Sequence, residues 1–171
     1  MQPPTPSPVP GAFYEGRAVI TFDYAATRAL GAPYWRVLEP FTLFLNAYRT
    51  QWVQVPAGYL TDGASVPRAF WSFVDRWDWY APAVIVHDLL CEYLQVTTSS
   101  GPLRISRERC DQILDLAMGV LEPDMGFAAT PSADRETIYK AVCLYRRMSG
   151  IDHPTNTPQK RALEAQGSVQ L

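Results

Sequence analysis

The hydrophobic pattern of the chain changes near its middle, and this change limits the folds that it can adopt. Up to about Gly58, apolar and polar residues alternate in RAVITFDY, WRVLEPFTLFL and TQWVQVPAG, which is the period of a half-buried β-strand. Beyond that point the apolar residues recur at helical spacing. The pattern predicts an α+β fold in which a small N-terminal antiparallel sheet precedes a three-helix segment containing an antiparallel helix hairpin.

Helices are predicted over about 82–94, 106–120 and 132–150, and a shorter one could begin at 67–71. Their boundaries carry residues that helix ends prefer, which are Pro82 in a first turn, Ser106 and Ser132 as N-caps, and Gly150 as the terminating residue.

The composition divides the chain into a proline-rich extended arm at 1–12, a single globular domain at 13–150 and a polar C-terminal tail at 151–171. Within the domain, 13–58 is predicted to be mainly strands and 59–150 mainly helices. The tail is predicted to contain one helical turn, near 161–165. Extended arms of this kind suit a component that lies along its neighbours in an oligomeric assembly.

Charge and cysteine usage exclude several classes of function. The 15 basic and 17 acidic residues give a net charge of −2 without a basic block, so no nucleic-acid partner is predicted. Cys91, Cys110 and Cys143 form no C-x-x-C pair and are predicted to be core thiols. Neither a signal peptide nor an apolar run of membrane-spanning length is evident, and we expect synthesis in the cytoplasm.

His87 and Asp88 stand side by side in the apolar segment YAPAVIVHDLLCEYL, and Asp111 lies in the next predicted helix. At about 1.5 Å per residue, His87 and Asp111 lie roughly 10 Å and 7.5 Å from the connection between their helices. In an antiparallel hairpin Asp111 could therefore accept a hydrogen bond from one imidazole nitrogen. The other nitrogen could then take a proton from water, which makes His87 a candidate general base.

A possible cation site precedes this helix in the loop GYLTDGASVPRAFW. Gly58, Asp62 and Gly63 favour a turn with exposed backbone carbonyls, and Asp88 is predicted to face it. Because calcium binds carbonyl and carboxylate oxygens together, these four residues form a candidate calcium site. Such a cation could polarise a substrate carbonyl.

The same residues also fit a purely structural interpretation. His87 would then be a core histidine paired with Asp111, Asp88 a surface carboxylate, and Asp62 the cap of a turn. Cys91 as a nucleophile is disfavoured because an apolar helical cysteine is usually a core residue, and Ser65 lacks a nucleophile elbow. The aromatic residues around the loop could line a cleft or contact a partner or a membrane; they are Trp71, Trp77, Trp79 and Tyr80.

Four motifs in order, VPAGYLTDGASVPRAFW, AVIVHDLLCEY, SRERCDQILDLAM and IYKAVCLYRRMSG, resemble the domain of unknown function 1353 of tailed bacteriophages and prophages, over about 52–150. The matching residues are Thr61, Asp62, Ala64, Ser65 and Pro67 in the loop, His87 and Asp88, then Arg107, Asp111 and Met118, and finally Tyr139, Ala141, Val142 and Gly150. The resemblance implies a virion protein of the tail or neck, with other virion proteins as partners.

The His-Asp helix followed by an Asp-bearing helix is also similar to secreted calcium-dependent phospholipases. That similarity implies that His87 is the general base, Asp88 binds calcium and Asp111 orients His87. The chain departs from the phospholipase pattern at Cys91, where a tyrosine is expected, and it lacks the glycine-rich calcium loop. Two hypotheses follow: a phage structural or assembly protein that carries a hydrolase-like site, and a calcium-dependent hydrolase of lipid esters or the cell envelope.

Overall fold

The computed structural model describes residues 11–63, 78–121 and 131–167. These residues form an α+β fold, as predicted, with eight strands and five helices in the described ranges. The elements are β1 (Phe13–Glu15), β2 (Ile20–Phe22), α1 (Tyr24–Leu30), β3 (Trp35–Val37), β4 (Phe41–Phe44), β5 (Gln51–Val55), β6 (Leu60–Thr61), α2 (Ala81–Tyr93), β7 (Gln95–Thr98), β8 (Gly101–Arg104), α3 (Arg107–Leu121), α4 (Pro131–Ser149) and α5 (Pro158–Gly167).

The strands form two antiparallel sheets. One has the order β1-β4-β5-β7-β8, and the other has the order β2-β3-β6. The alternation in the sequence matches the faces of the larger sheet, since Phe41 and Leu43 in β4 and Val53 and Val55 in β5 are buried. The hairpin β7–β8 extends this sheet between α2 and α3, where only a loop was expected. Its β-branched run and Gly101, at φ 115°, favour that hairpin.

Most predicted helix ends are confirmed. Pro82 lies in the first turn of α2, the Ser106 hydroxyl accepts a hydrogen bond from the Arg109 amide at 3.1 Å, and Gly150 follows the last residue of α4 with φ 64°. The prediction of Ser132 as an N-cap is wrong, because α4 begins one residue earlier, at Pro131, and Ser132 therefore lies inside the helix. The structure also adds α1, which Asp23 caps through the Ala26 amide.

The C-terminal segment corrects the prediction of a tail with one helical turn. It contains the ten-residue helix α5, and the side chain of Lys160 in that helix is buried. The Arg36 guanidinium donates to the Leu163 carbonyl at 3.3 Å, and the Glu164 carboxylate accepts from the Leu60 amide at 3.1 Å. Polar residues that look solvated in the sequence therefore fix α5 against the domain.

Helix α2 is buried on almost every side, because it lies between β5 and β6 of the two sheets and α3, which in turn contacts α4. Residues Ala83–Asp88, together with Leu90 and Cys91, are buried. A helix without a polar face must place its polar residues in the interior, so the continuous apolar segment forces His87 and Asp88 inside. No helix among the described residues is long and apolar enough to cross a membrane.

Several predictions concern residues outside the described ranges. They are the arm over residues 1–10, the short helix at 67–71, and the loop residues Ala64, Ser65, Pro67, Trp71 and Trp77.

Candidate active site

The predicted contact between His87 and Asp111 is confirmed. His87 Nε2 lies 2.9 Å from Asp111 Oδ1, and the two residues are only 2% and 1% exposed. Helix α2 supplies the imidazole and α3 supplies the carboxylate, at the similar heights that the helix lengths predict. Because Asp111 holds Nε2, acid–base chemistry by this ring falls to Nδ1.

Arg146 is a third member of this cluster that the sequence analysis missed. Its Nε donates to Asp111 Oδ2 at 2.6 Å, so the two carboxylate oxygens of Asp111 contact different helices. The sequence places Arg146 in the last turn of its helix, where the helix dipole already favours a cation. The pattern therefore gave no sign that Arg146 contacts Asp111. Asp111 therefore joins α2, α3 and α4 at one buried point.

The electrostatics of the His87–Asp111 pair favour its charged form. Burial opposes protonation of His87, but the Cys91 sulfur and the Asp111 carboxylate raise the pKa of the ring above its ordinary value. Burial likewise opposes ionisation of Asp111, whereas hydrogen bonds from His87 and Arg146 lower its pKa. Both shifts favour the imidazolium–carboxylate form of the pair, and a rise in pH increases the neutral form of His87.

Cys91 lies one turn after His87, with its Sγ 3.5 Å from Nε2 and 3.8 Å from Nδ1. A hydrogen bond with Cys110 and burial raise the pKa of the Cys91 thiol. A raised pKa disfavours the thiolate, which is the reactive form of a cysteine. Cys91 therefore lies in the wall of the site as a thiol and is not suited to act as a nucleophile.

Asp88 faces the preceding loop, as predicted. The Thr61 hydroxyl donates to Asp88 Oδ2 at 2.5 Å, and Thr61 Oγ1 accepts from the Gly63 amide at 3.2 Å. This arrangement fastens the described end of the loop to α2. Asp62, between Thr61 and Gly63, lines the same cavity as Asp88.

Other predicted calcium ligands are not brought to this cavity. The Gly58 carbonyl accepts from Arg36 at 2.9 Å, and neither Gly58 nor Gly63 is among the residues that line the cavity. Within the described ranges, no group of three or more His, Cys, Asp and Glu side chains is placed to hold a metal ion. Calcium also binds backbone carbonyls, and calcium binding therefore stays a prediction.

Tyr139, which the family resemblance singles out, lies on α4 and is half-buried. Burial and its neighbour Cys143 raise its pKa to about 12, and it is not among the residues lining the cavity. Ser65 lies outside the described residues.

A cavity of about 440 Å³ opens beside His87. Its wall carries four carboxylates and four groups that can be cationic, which are Asp62, Asp88, Glu92 and Asp111, and His87, Arg107, Arg146 and Lys160. The C-terminal segment forms part of the same wall through Thr155, Thr157, Gln159 and Lys160. Such a mixed polar lining around a histidine suits a polar or charged substrate.

A second buried cluster, also missed from the sequence, forms one side of the cavity. Lys160 Nζ contacts Glu92 Oε1, lies 3.2 Å from Glu164 Oε1 and stands 4.3 Å above the centre of the Tyr59 ring. The Tyr59 hydroxyl donates to Glu92 Oε1 at 3.2 Å. Burial raises the pKa of Glu92 to about 7, although Lys160 acts in the opposite direction.

Comparison with known proteins gives one match. The family described as "Protein of unknown function (DUF1353)" matches residues 35–142. No match was found among curated proteins or among solved structures. The family match includes β3 to α3 and the first part of α4, and so it contains both His87 and Asp111.

Proposed function

The chain belongs to the DUF1353 family, and from the geometry of its cavity we propose that it is a hydrolase with His87 as general base and Asp111 as the residue that positions it. One observation carries the proposal: His87 Nε2 and Asp111 Oδ1 are 2.9 Å apart in the wall of a cavity large enough for a substrate. The proposed substrate is an ester of a lipid or of the cell envelope.

The proposed reaction uses Nδ1 of His87. With Nε2–H donated to Asp111, a neutral ring accepts a proton from water at Nδ1 while the water oxygen bonds to the ester carbonyl carbon. The bond to the alcohol oxygen then breaks, and the leaving alkoxide takes the proton back from Nδ1. Arg146 keeps Asp111 ionised and fixed in this scheme, and no step uses a calcium ion.

Replacement of His87 by glutamine tests the proposal. We expect ester hydrolysis to fall by roughly a hundredfold or more, because general-base catalysis contributes about 10²–10⁴-fold. His153→Gln is the matched control, since His153 is the other histidine of the chain and its side chain is 71% exposed. Rates measured with calcium and with a chelator also test the predicted cofactor. Equal hydrolysis by the His87→Gln and His153→Gln proteins would contradict the proposal.

The pH profile gives this experiment a second readout. The pKa of His87 is raised, so the neutral base is scarce at neutral pH and its population grows as the pH rises. We therefore expect kcat/KM to increase from pH 7 towards alkaline pH in the unchanged protein. The residual activity of His87→Gln should lack this increase, and a rate that peaks below pH 6.5 would contradict general-base catalysis by His87.

A structural role in a phage particle, at the tail or neck, is the second candidate. Exposed apolar side chains favour it: Leu144 and Met148, one turn apart on α4, are 49% and 78% exposed, and Tyr48 is 88% exposed. Such side chains are suited to contacts with other virion proteins or with a membrane. The two functions are compatible, because a virion protein can carry the hydrolytic site into the cell envelope during infection.

Deletion of residues 1–12 tests the assembly role. We expect fewer copies of the truncated protein per purified particle, counted by quantitative mass spectrometry, because the proline-rich arm is proposed to lie along neighbouring subunits. The thermal midpoint of the truncated protein serves as the control for folding. A folded truncated protein that is incorporated at the normal level would contradict the assembly role of the arm.

A further inference from the structure

We propose that Arg107 forms an anion-binding subsite in the cavity, so that the substrate carries a carboxylate or phosphate group beside the ester that is cleaved. This inference rests on the proposed hydrolytic function and specifies its substrate class.

The arginines and the lysine of the wall differ in their partners. Arg146 is bound to Asp111, and Lys160 is bound to Glu92 and Glu164. Arg107 forms no ion pair with any described residue, and its one hydrogen bond to them runs from a terminal nitrogen to the Cys91 carbonyl at 3.3 Å. Two of the three cations are thus paired with carboxylates, whereas Arg107 has no carboxylate partner in the described part of the chain.

The hydrogen-bonding capacity of Arg107 also points to a ligand. The Nε atom is buried and has no hydrogen-bond partner among the described residues. A guanidinium has five N–H donors in a planar fork that matches two oxygens of a carboxylate or phosphate. The bond to Cys91, which helps to cap the end of α2, occupies one of these donors and leaves the fork able to bind an anion.

The position of Arg107 suits a group next to the reacting ester. Cys91, whose carbonyl it contacts, is four residues after His87, which is about 6 Å along the helix axis at 1.5 Å per residue. Arg107, His87 and Asp111 all line the one cavity. An anion on Arg107 would therefore place a neighbouring ester within reach of His87.

Glu92 adds a second contact for the same ligand. Glu92 lines the cavity with Arg107, and its buried Oε2 has no hydrogen-bond partner among the described residues. Because the pKa of Glu92 is about 7, this oxygen can accept from a ligand donor or, when protonated, donate. The ligand that fits is an anion with a hydroxyl or amine group nearby.

Anion titration of the full chain and of the Arg107→Gln protein tests the subsite. The probes are inorganic phosphate and acetate, added separately at constant ionic strength and followed by NMR chemical shifts. We expect saturable binding of one probe, weakened about tenfold or more in Arg107→Gln, since a charge-assisted hydrogen bond is lost. Arg104→Gln, which removes an exposed arginine of β8, should bind as the unchanged protein does. Preference for phosphate indicates a phosphate-bearing substrate, and preference for acetate indicates a carboxylate.

Absence of saturable binding, or equal binding by Arg107→Gln, overturns the subsite. If Arg107→Gln does not fold, Arg107→Lys replaces it: the charge is kept but the planar fork is lost, and we expect weaker binding of the preferred probe. The His87→Gln protein separates this inference from the proposed function, because it should lose hydrolysis and still bind the anion. Loss of hydrolysis in His87→Gln with unchanged anion binding in Arg107→Gln would contradict the subsite alone. Unchanged hydrolysis in His87→Gln with weakened anion binding in Arg107→Gln would contradict the hydrolase alone.

Discussion

Replacement of Asp111 by alanine is expected to lower the free energy of unfolding by about 3–5 kcal/mol, the usual cost of removing one partner from a buried ion pair. Asp111 is 1% exposed and accepts hydrogen bonds from both His87 and Arg146. Without the carboxylate, the His87 ring and the Arg146 guanidinium would lose their shared hydrogen-bond acceptor in the interior. Urea denaturation at pH 7, with the midpoint and slope both fitted, measures the loss.

Asp115→Ala is the matched control for this prediction. Asp115 lies one turn later on α3, is also buried, and pairs with Arg135 at 2.7 and 3.0 Å. Its loss should be smaller, because Asp111 has charged partners from two helices and is more deeply buried. An Asp111→Ala protein no less stable than Asp115→Ala would contradict the central role of Asp111.

The pH dependence of the Asp111→Ala effect follows from the lowered pKa of Asp111. A lowered carboxyl pKa contributes stability that is fully present above the ordinary value of 3.8 and is lost as the pH falls through the lower value in the folded protein. The stability difference between Asp111→Ala and the unchanged protein should therefore shrink below pH 3.8. Measurements at pH 7 and at about pH 3 compare the two conditions.

The His87–Asp111 contact could be predicted from the sequence because it depends on local information. Each residue lies on a helix with clear end signals, and the antiparallel arrangement of consecutive helices brings the two residues to similar heights. The arginine completing the cluster, Arg146, could not be predicted in the same way. Its contact with Asp111 spans 35 residues and depends on how α4 packs against α3, which helical periodicity does not specify.

Contacts of the polar residues in the C-terminal segment likewise could not be predicted from the sequence. Lys160 is in a stretch whose composition indicates solvent exposure, yet it is buried against Glu92, which lies 68 residues earlier in the chain. A lysine is seldom buried unless a partner is present, and the sequence alone does not pair residues at this distance. Hydrophobic patterning therefore predicted an N-terminal antiparallel sheet and the helices α2, α3 and α4, whereas the wall that closes the cavity depends on long-range charge pairing.

Replacement of Lys160 by methionine is expected to lower the free energy of unfolding at pH 8 by about 3–5 kcal/mol, because Glu92 would remain buried without its counter-ion. Burial raises the pKa of Glu92 from its ordinary value of 4.5 to about 7. The stability that Glu92 contributes to the folded protein is therefore fully present below pH 4.5 and is lost as the pH rises through 7. Lys160 limits that loss in the unchanged protein. We therefore expect the methionine substitution to cost much less at pH 5, where Glu92 is mostly protonated with or without Lys160.

Two further proteins isolate the Glu92–Lys160 pair as the cause. Lys140→Met removes a lysine whose side chain is 69% exposed and whose partner Glu136 lies on the α4 surface, so its unfolding midpoint should hardly change at either pH. The double substitution Glu92→Gln with Lys160→Met removes both charges and should recover most of the stability lost at pH 8. If the double variant is as unstable as Lys160→Met, the loss does not come from an unpaired Glu92, and it is then due to the packing of the lysine stem or to Glu164, the second partner of Lys160.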